Sequence, residues 1–260
     1  MAKKCQDITI HAASLGHREG PAFYASLPVD GETGNGCGTN KAAAQIHLAA
    51  LLWNHVAARG NPHWQYREQC DRAAFPLQVA HSPLGRPHLL LGEVRGPSIS
   101  FSEGGGKVWA ALCVDASDIG IDVAAAEEFQ GEYPVHRIFH DQELHHALRL
   151  TGDDVTQASA LLWSVKEAVV KALGCAFHLV APLQVHISPG VEENHGYTFP
   201  VWLSGKALAR YPMAAGRSIQ VRSFPQGKMW LSIALLRWWS QCGKNRDFQI
   251  NALQRQNVDS

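Results

Sequence analysis

The stretch Leu162-Trp163-Ser164-Val165-Lys166-Glu167-Ala168-Val169-Val170-Lys171-Ala172-Leu173-Gly174 sets an aromatic ring, a carboxylate and an ammonium at four-residue intervals. On a helix, residues four apart are offset by about 40°, so Trp163, Glu167 and Lys171 would form one continuous stripe. Taken alone, a Glu–Lys pair in this order is a surface ion pair worth about 0.3–0.5 kcal/mol. A second segment gives it another use. Asp118-Ile119-Gly120-Ile121-Asp122-Val123 reads as a buried strand carrying an aspartate near its end, with Gly120 where another backbone or a ligand must come close. Carboxylates on a strand end and on a helix can converge on a hard cation such as Mg²⁺, whose remaining shell is filled by water and substrate phosphate oxygens.

The elements that must position these residues follow from pattern and punctuation. Asp154 with Gln157 three residues on is a capping-box pattern, and Gly174 is a stop, so a helix is expected from there to Leu173. Asp141 is the expected cap of a short helix reaching about Leu150. An earlier helix is expected over Lys41 to Arg59, capped by Thr39, carrying Ala44, Ile46, Leu48, Leu51, Leu52 and Val56, and stopped by Gly60-Asn61-Pro62. Strands are expected at Ser98 to Phe101, Lys107 to Val114 and Asp118 to Val123, the last two joined by Asp115-Ala116-Ser117 into a meander. Four more follow at Leu183 to Ile187, Tyr197 to Leu203, Ser218 to Phe224 and Met229 to Leu236. Residues 8–27 read as an irregular start with a short strand, and 31–38 as a breaker-rich loop. Prolines limit 60–96 to short strands and turns. Helix followed by strands occurs twice, which predicts an α+β fold of two pseudo-symmetric halves, each a small antiparallel sheet packed with a long helix. The halves are drawn at 1–120 and 121–242, with a frayed tail at 243–260.

The 260 residues, 46% hydrophobic and 18% charged, are enough for a sizeable core and lack a run long enough to span a bilayer. Lys plus Arg equal Asp plus Glu at 23 each, so no whole-molecule field attracts nucleic acid or an anionic membrane, and any bound anion must be gathered locally. Cys5, Cys37, Cys70, Cys113, Cys175 and Cys242 form no CxxC pair, and Met1-Ala2-Lys3-Lys4 leads into no apolar signal core. Reduced thiols in a cytoplasm are expected.

G-I-D at 120–122 and W-S-V-K-E-A at 163–168 with Lys171 together resemble the 4′-phosphopantetheinyl transferase superfamily, and more narrowly its monomeric two-half, Sfp-type branch with a W-x-x-K-E-A signature. Other segments fit in order: Leu84-Gly85-Arg86-Pro87 resembles the family's G-K/R-P, Ser98-Ile99-Ser100-Phe101-Ser102 its S-x-S-H-S, and Arg137-Ile138-Phe139 with Glu143 its R-F-F-x-x-x-E. The resemblance covers about Gly85 to Ile187 and implies Mg²⁺-dependent transfer of the 4′-phosphopantetheine group from coenzyme A to a serine of an apo acyl or peptidyl carrier protein, as in fatty-acid, polyketide and nonribosomal peptide synthesis. It implies Asp122 and Glu167 as metal ligands, Glu167 also as a helper in removing the serine proton, and Lys171 as the cation opposite the diphosphate and leaving group. Lys166 is implied as a lesser helper at the cofactor, and Arg86, Ser100, Phe101 and Lys41 fall at positions of the nucleotide end.

Two positions depart from the family's pattern. Ala124 stands where a second acidic metal position is expected, and Phe101 stands where a histidine meets the nucleotide's phosphate. They motivate the rival expectation of a non-catalytic coenzyme A or carrier-protein binding module of the same fold. A zinc hydrolase would need ligands such as His136, His140, His145 and His146, but a cap at Asp141 takes His136 and His140 out of one helix. Glu103-Gly104-Gly105-Gly106-Lys107 lacks the spacing of a phosphate loop and is expected to be a hairpin turn.

Overall fold

A computed structural model describes residues 8–13, 22–29, 40–58, 77–113, 118–131, 133–215 and 219–236. The expected loop 31–38, the cap Thr39, the stop at 60–62, the turn 115–117 and the tail 243–260 lie outside the described residues.

The chain runs β1 (His11–Ala13), β2 (Ala22–Pro28), α1 (Lys41–Ala57), β3 (Leu77–His81), β4 (Pro87–Leu91), β5 (Val94–Arg95), β6 (Ser98–Gly104), β7 (Lys107–Cys113) and β8 (Asp118–Ala125). It continues through α2 (Asp141–Leu150), α3 (Val155–Leu173), β9 (Val185–Ile187), β10 (Val191–Glu193), β11 (Gly196–Leu203), α4 (Gly205–Arg210), β12 (Ile219–Gln226) and β13 (Met229–Leu236). The first half holds a sheet ordered β1-β2-β7-β6 with α1 on its outer face. The second holds β10-β11-β12-β13-β8, with β9 on β11 and α3 on its outer face, and β3-β4-β5 form a small third sheet. The expected α+β pair of helix-backed antiparallel sheets is therefore what the chain builds.

Strand alternation sorts the side chains into layers. On β7, Val108, Ala110 and Leu112 join Ala44, Leu48, Leu52 and Val56 of α1, while Trp109, Ala111 and Cys113 point the other way. There they meet Ile119, Ile121 and Val123 of β8 and Leu231, Ile233 and Leu235 of β13, so the two sheets pack face to face. Burying a large aliphatic side chain contributes about 1.5–3 kcal/mol, and this apolar filling between the layers holds the halves together.

The expected meander is corrected at its third strand. β7 pairs with β6 and β2, whereas β8 pairs along its whole length with β13, Asp122 lying opposite Ser232. β8 is thus the edge strand of the second sheet, and the boundary drawn at 120/121 runs through it. Its outward amides are met by serine side chains of β6: Ile119 N donates to Ser98 Oγ at 3.3 Å, Ile121 N to Ser100 Oγ at 3.1 Å and Val123 N to Ser102 Oγ at 3.2 Å. An unpaired strand amide in a buried setting is costly, and the hydroxyls supply the missing acceptors.

Asp154 accepts from Thr156 N and Gln157 N at the start of α3, and Gly174 closes it with φ +76°. Gln157 does not complete the expected box with its side chain; its Oε1 accepts instead from Trp230 Nε1 at 2.9 Å. Asn40 caps α1, accepting from Ala43 N, and His140 rather than Asp141 is the N-cap of α2. β10 and α4 were not anticipated; both are short, and little periodicity can accumulate in three or six residues. The turn at Gly105 and Gly106, both with positive φ, joins β6 to β7 as expected of the glycine run. Among the described residues no helix is long and apolar enough to cross a membrane.

α3 lies on β13 and β8 through a stripe of small residues, Ser164 meeting Ser232 of β13 and Ala168 and Ala172 meeting β8 at Gly120. A Cβ there would stand 1.9 Å from Ala168 O and 2.6 Å from Ala172 N. Gly120→Ala is therefore expected to lower stability by about 3 kcal/mol, the upper end of ordinary overpacking, because the obstacle is helix backbone rather than a movable side chain. Urea denaturation checks this, and a variant within 1 kcal/mol of the parent, on the order of an ordinary mutational effect, would refute the close-packing account.

Candidate active site

Because Gly120 lets α3 settle onto β8, the side chain two residues further along the strand meets the helix. Lys171 Nζ donates to Asp122 Oδ1 at 2.7 Å, and both lie beside Ser102 of β6. Ser102 Oγ donates to Asp122 Oδ1 at 2.9 Å while receiving Lys171 Nζ at 3.2 Å and Val123 N. Asp122 is 6% exposed. Its Oδ1 takes both of the bonds it receives from described residues, and Oδ2 takes none.

Glu167 completes the group from one helical turn before Lys171. Its carboxyl pKa is pushed up to about 7, first by burial and then by the charge of Asp122, with Lys171 pulling part of the way back. Two carboxylates share a poorly hydrated place with one ammonium, a set that is short of positive charge. Trp163, the third member of the stripe, instead packs on the core with its ring 5.0 Å from that of Phe177. Tyr133 is the neighbour that sequence reasoning missed: burial, then Glu128 and Glu167, raise its phenol pKa. No motif marks it, since it reaches the site from an irregular segment.

The structure does not gather the remaining expected residues into this group. Lys166, expected at the cofactor, is wholly buried on another face of α3. It pairs with Glu143 Oε2 at 2.9 Å and donates to Pro182 O and Val185 O, so its three N–H bonds are all committed. Burial lowers its pKa and Glu143 counteracts the shift. Ser100, expected at the nucleotide, is buried and serves Ile121 N. Phe101 faces the opposite side of β6 and packs on the apolar cluster under α1. Arg86 grips Asp118 with both ends of its guanidinium, at 2.5 and 3.2 Å, and lies against the Cα of Gly174, tying the first half to the start of β8 and the end of α3. Lys41 pairs with Glu103 at the surface, a contact worth little, and so keeps its charge available next to the Ser102 end of β6. Ala124 is 1% exposed within the core, opposite Trp230, so the second acidic position is filled by hydrocarbon.

One triad of potential metal-ligating side chains forms elsewhere among the described residues, His140, Glu143 and His186, with one candidate atom from each within 4.8 Å of the others. Its atoms are engaged. Glu143 receives Ile187 N, His140 N and Lys166, while His140 Nε2 meets Leu183 O and His186 Nε2 meets Ser204 Oγ. The two imidazoles are also stacked, 4.5 Å apart and within 12° of parallel. Imidazole lone pairs lie in the ring plane, so stacked rings aim along parallel planes and not at one ion. The other histidines of the zinc expectation are likewise dispersed: His136 meets Asp141, and His146 receives Gly190 N.

Residues 118–210 match the model of the ACPS family, described as the 4′-phosphopantetheinyl transferase superfamily. The matched segment begins with β8 and ends with α4, so it contains Asp122, Glu167 and Lys171. Among solved structures, a match is the Chronobacterium ammoniagenes ACPS-CoA complex, 18% identical, covering 48% of this chain and 99% of that one, with a TM-score of 0.39. No curated protein matches. The sequence link is thus to the superfamily, through the half that carries the carboxylates.

Two outcomes follow. Since the folded pKa of Glu167 lies above its ordinary value of 4.5, the folded protein keeps a proton that the unfolded chain releases. Metal-free stability should therefore fall as pH rises from about 4.5 through about 7, by at most about 3 kcal/mol. A cation bound to the ionised form should reverse this, so the melting-temperature gain from Mg²⁺ over EDTA should be larger at pH 8 than at pH 6, and thermal melts across that range read it. Separately, Glu143→Ala leaves Lys166 buried without its counter-charge and should cost about 3–5 kcal/mol, while replacing both by Met should recover only part of the loss, because Ile187 N and His140 N stay without their acceptor. Urea titration of the single and double variants checks the assignment.

Proposed function

We propose that the chain transfers 4′-phosphopantetheine from coenzyme A to a serine hydroxyl of an apo acyl or peptidyl carrier protein, as a monomeric two-half transferase of the Sfp type. The observation that carries this reading is the convergence of Asp122, Glu167 and Lys171 where α3 meets β8 at Gly120. Phosphoryl transfer asks a protein mainly for in-line positioning and charge neutralisation, and this group offers both.

The donor set fits a hard cation. Asp122 Oδ2 is left without a described partner, burial and the charge of Asp122 push the Glu167 carboxyl up to about 7, and Mg²⁺ accepts one or two protein carboxylates. Asp122 and Glu167 would hold it, and when bound it supplies charge neutralisation to the diphosphate of coenzyme A. Lys171 spends two N–H bonds on Asp122 and Ser102 and has a third to give to the phosphate oxygens. As the serine oxygen bonds to the β-phosphorus, the bond from that phosphorus to the bridging oxygen breaks, and 3′,5′-ADP departs with the electron pair. Glu167, ionised when the cation is bound, takes the serine proton directly or through one water. Lys41 is the cation best placed to meet the nucleotide, since Arg86 would have to give up Asp118. The overall charge is balanced, so a carrier would dock through apolar contact with local basic residues.

Incubating an apo carrier with fluorescent coenzyme A, with Mg²⁺ or EDTA, tests the proposal: labelling of the carrier serine only with Mg²⁺ supports it. Tight coenzyme A binding with no labelling of a panel of carriers would favour the non-catalytic module instead. In the same assay Asp122→Ala and Glu167→Gln should each lower the rate by about 10² or more without unfolding the protein. Lys171→Ala should act chiefly on kcat, because charge on the leaving oxygen develops only in the transition state. A change confined to KM would make Lys171 a ground-state ligand.

A further inference from the structure

Ser102 belongs to the first half, yet its hydroxyl sits inside the catalytic group of the second. Its hydrogen-bonding capacity is used up: both lone pairs are occupied, by Val123 N at 3.2 Å and Lys171 Nζ at 3.2 Å. The one O–H must then donate to Asp122 Oδ1, 2.9 Å away. The direction of that bond is fixed by exclusion, because a hydroxyl that already accepts twice has only its hydrogen left.

Three consequences meet at one atom. Asp122 Oδ1 is claimed by Ser102 and Lys171, which holds the carboxylate plane and leaves Oδ2 as the oxygen available to a ligand. Lys171 is held between two acceptors instead of ranging over its rotamers. The backbone at Val123, one residue beyond Asp122, is held from outside its own sheet. Ser100 and Ser98 share only the last of these functions toward β8, as acceptors for Ile121 N and Ile119 N.

We infer that Ser102 is a positioning residue of the active site, contributed across the joint between halves, which divides Asp122 into one saturated oxygen and one oxygen reserved for the cation. The inference rests on the transferase reading and extends it to a residue that touches neither substrate nor cation. Ser102→Thr provides the functional control, since it keeps the hydroxyl, while Ser100→Ala, which removes one acceptor from one β8 amide, gauges the stability cost alone.

The test compares wild type, Ser102→Ala, Ser102→Thr and Ser100→Ala in three measurements: melting temperature in EDTA, Mn²⁺ dissociation constant by electron paramagnetic resonance with coenzyme A present, and kcat and KM for carrier labelling. Both alanine variants should lose a similar few degrees of melting temperature. Ser102→Ala should weaken Mn²⁺ binding about tenfold and lower kcat about tenfold with KM for coenzyme A nearly unchanged, and Ser102→Thr, which keeps the hydroxyl, should restore most of both. If wild type binds Mn²⁺ and labels the carrier, and Ser102→Ala matches wild type in Mn²⁺ affinity and kcat, Ser102 is merely an acceptor for β8 and the inference is overturned while the transferase reading stands. A wild type that neither binds Mn²⁺ nor labels any carrier overturns both.

Discussion

The arrangement depends on the contact between α3 and β8 at Gly120, where helix backbone replaces the side chain that any other residue would place there. Only at that separation does Lys171 Nζ come to 2.7 Å from Asp122. The stripe of Ser164, Ala168 and Ala172 makes the approach possible from the helix side, and the buried pairing of Ser164 Oγ with Ser232 Oγ at 2.7 Å fixes the helix along the sheet. On the other flank of α3, the buried Lys166–Glu143 pair and the carbonyls of Pro182 and Val185 fix its rotation. A salt bridge so far from water contributes little net stability, but parting its two charges is costly, and this makes it a locator for the residue beside it.

That residue is Glu167, and its raised pKa is the electrostatic counterpart of the packing. Burial by the small-residue interface and the presence of Asp122 act in one direction, and the single ammonium of Lys171 does not cancel them. A site short of positive charge in the resting protein suits a diphosphate only if a cation comes with it. This is the physical content of the proposed metal requirement, and it needs no third carboxylate: Ala124 is sealed in the core opposite Trp230.

Much of this was legible in the sequence because it is local. The four-residue stripe, the cap at Asp154, the stop at Gly174 and the glycine before Asp122 each have a short-range cause, and the structure places Asp122, Glu167 and Lys171 together. What was not legible depends on which distant partner a residue finds. Consecutive strands usually pair, yet β8 leaves β7 for β13, because its odd-numbered side chains are needed between the sheets and its outward amides already have acceptors. Lys166 and Glu167 are adjacent letters on different faces of one helix, and only the rotation of α3 decides which meets the site. Arg86 is expected at the nucleotide end, and its partner in the structure is a carboxylate thirty-two residues later, which takes both ends of its guanidinium.

The row of three serines on β6 acts as a key cut to the spacing of β8. Serine 98, 100 and 102 stand two residues apart, the period at which a strand presents amides to one side, so the two halves mesh at one offset with every tooth engaged. A slip by two residues would set Ser102 against Ile121 and bring Gly104, which has no side chain, to Val123. The contact that would be lost at Val123 is the one made by the hydroxyl that also touches Asp122 and Lys171. In this molecule correct assembly of the two halves and completion of the Ser102–Asp122–Lys171 group are the same event, and a misaligned copy carries its own disqualification.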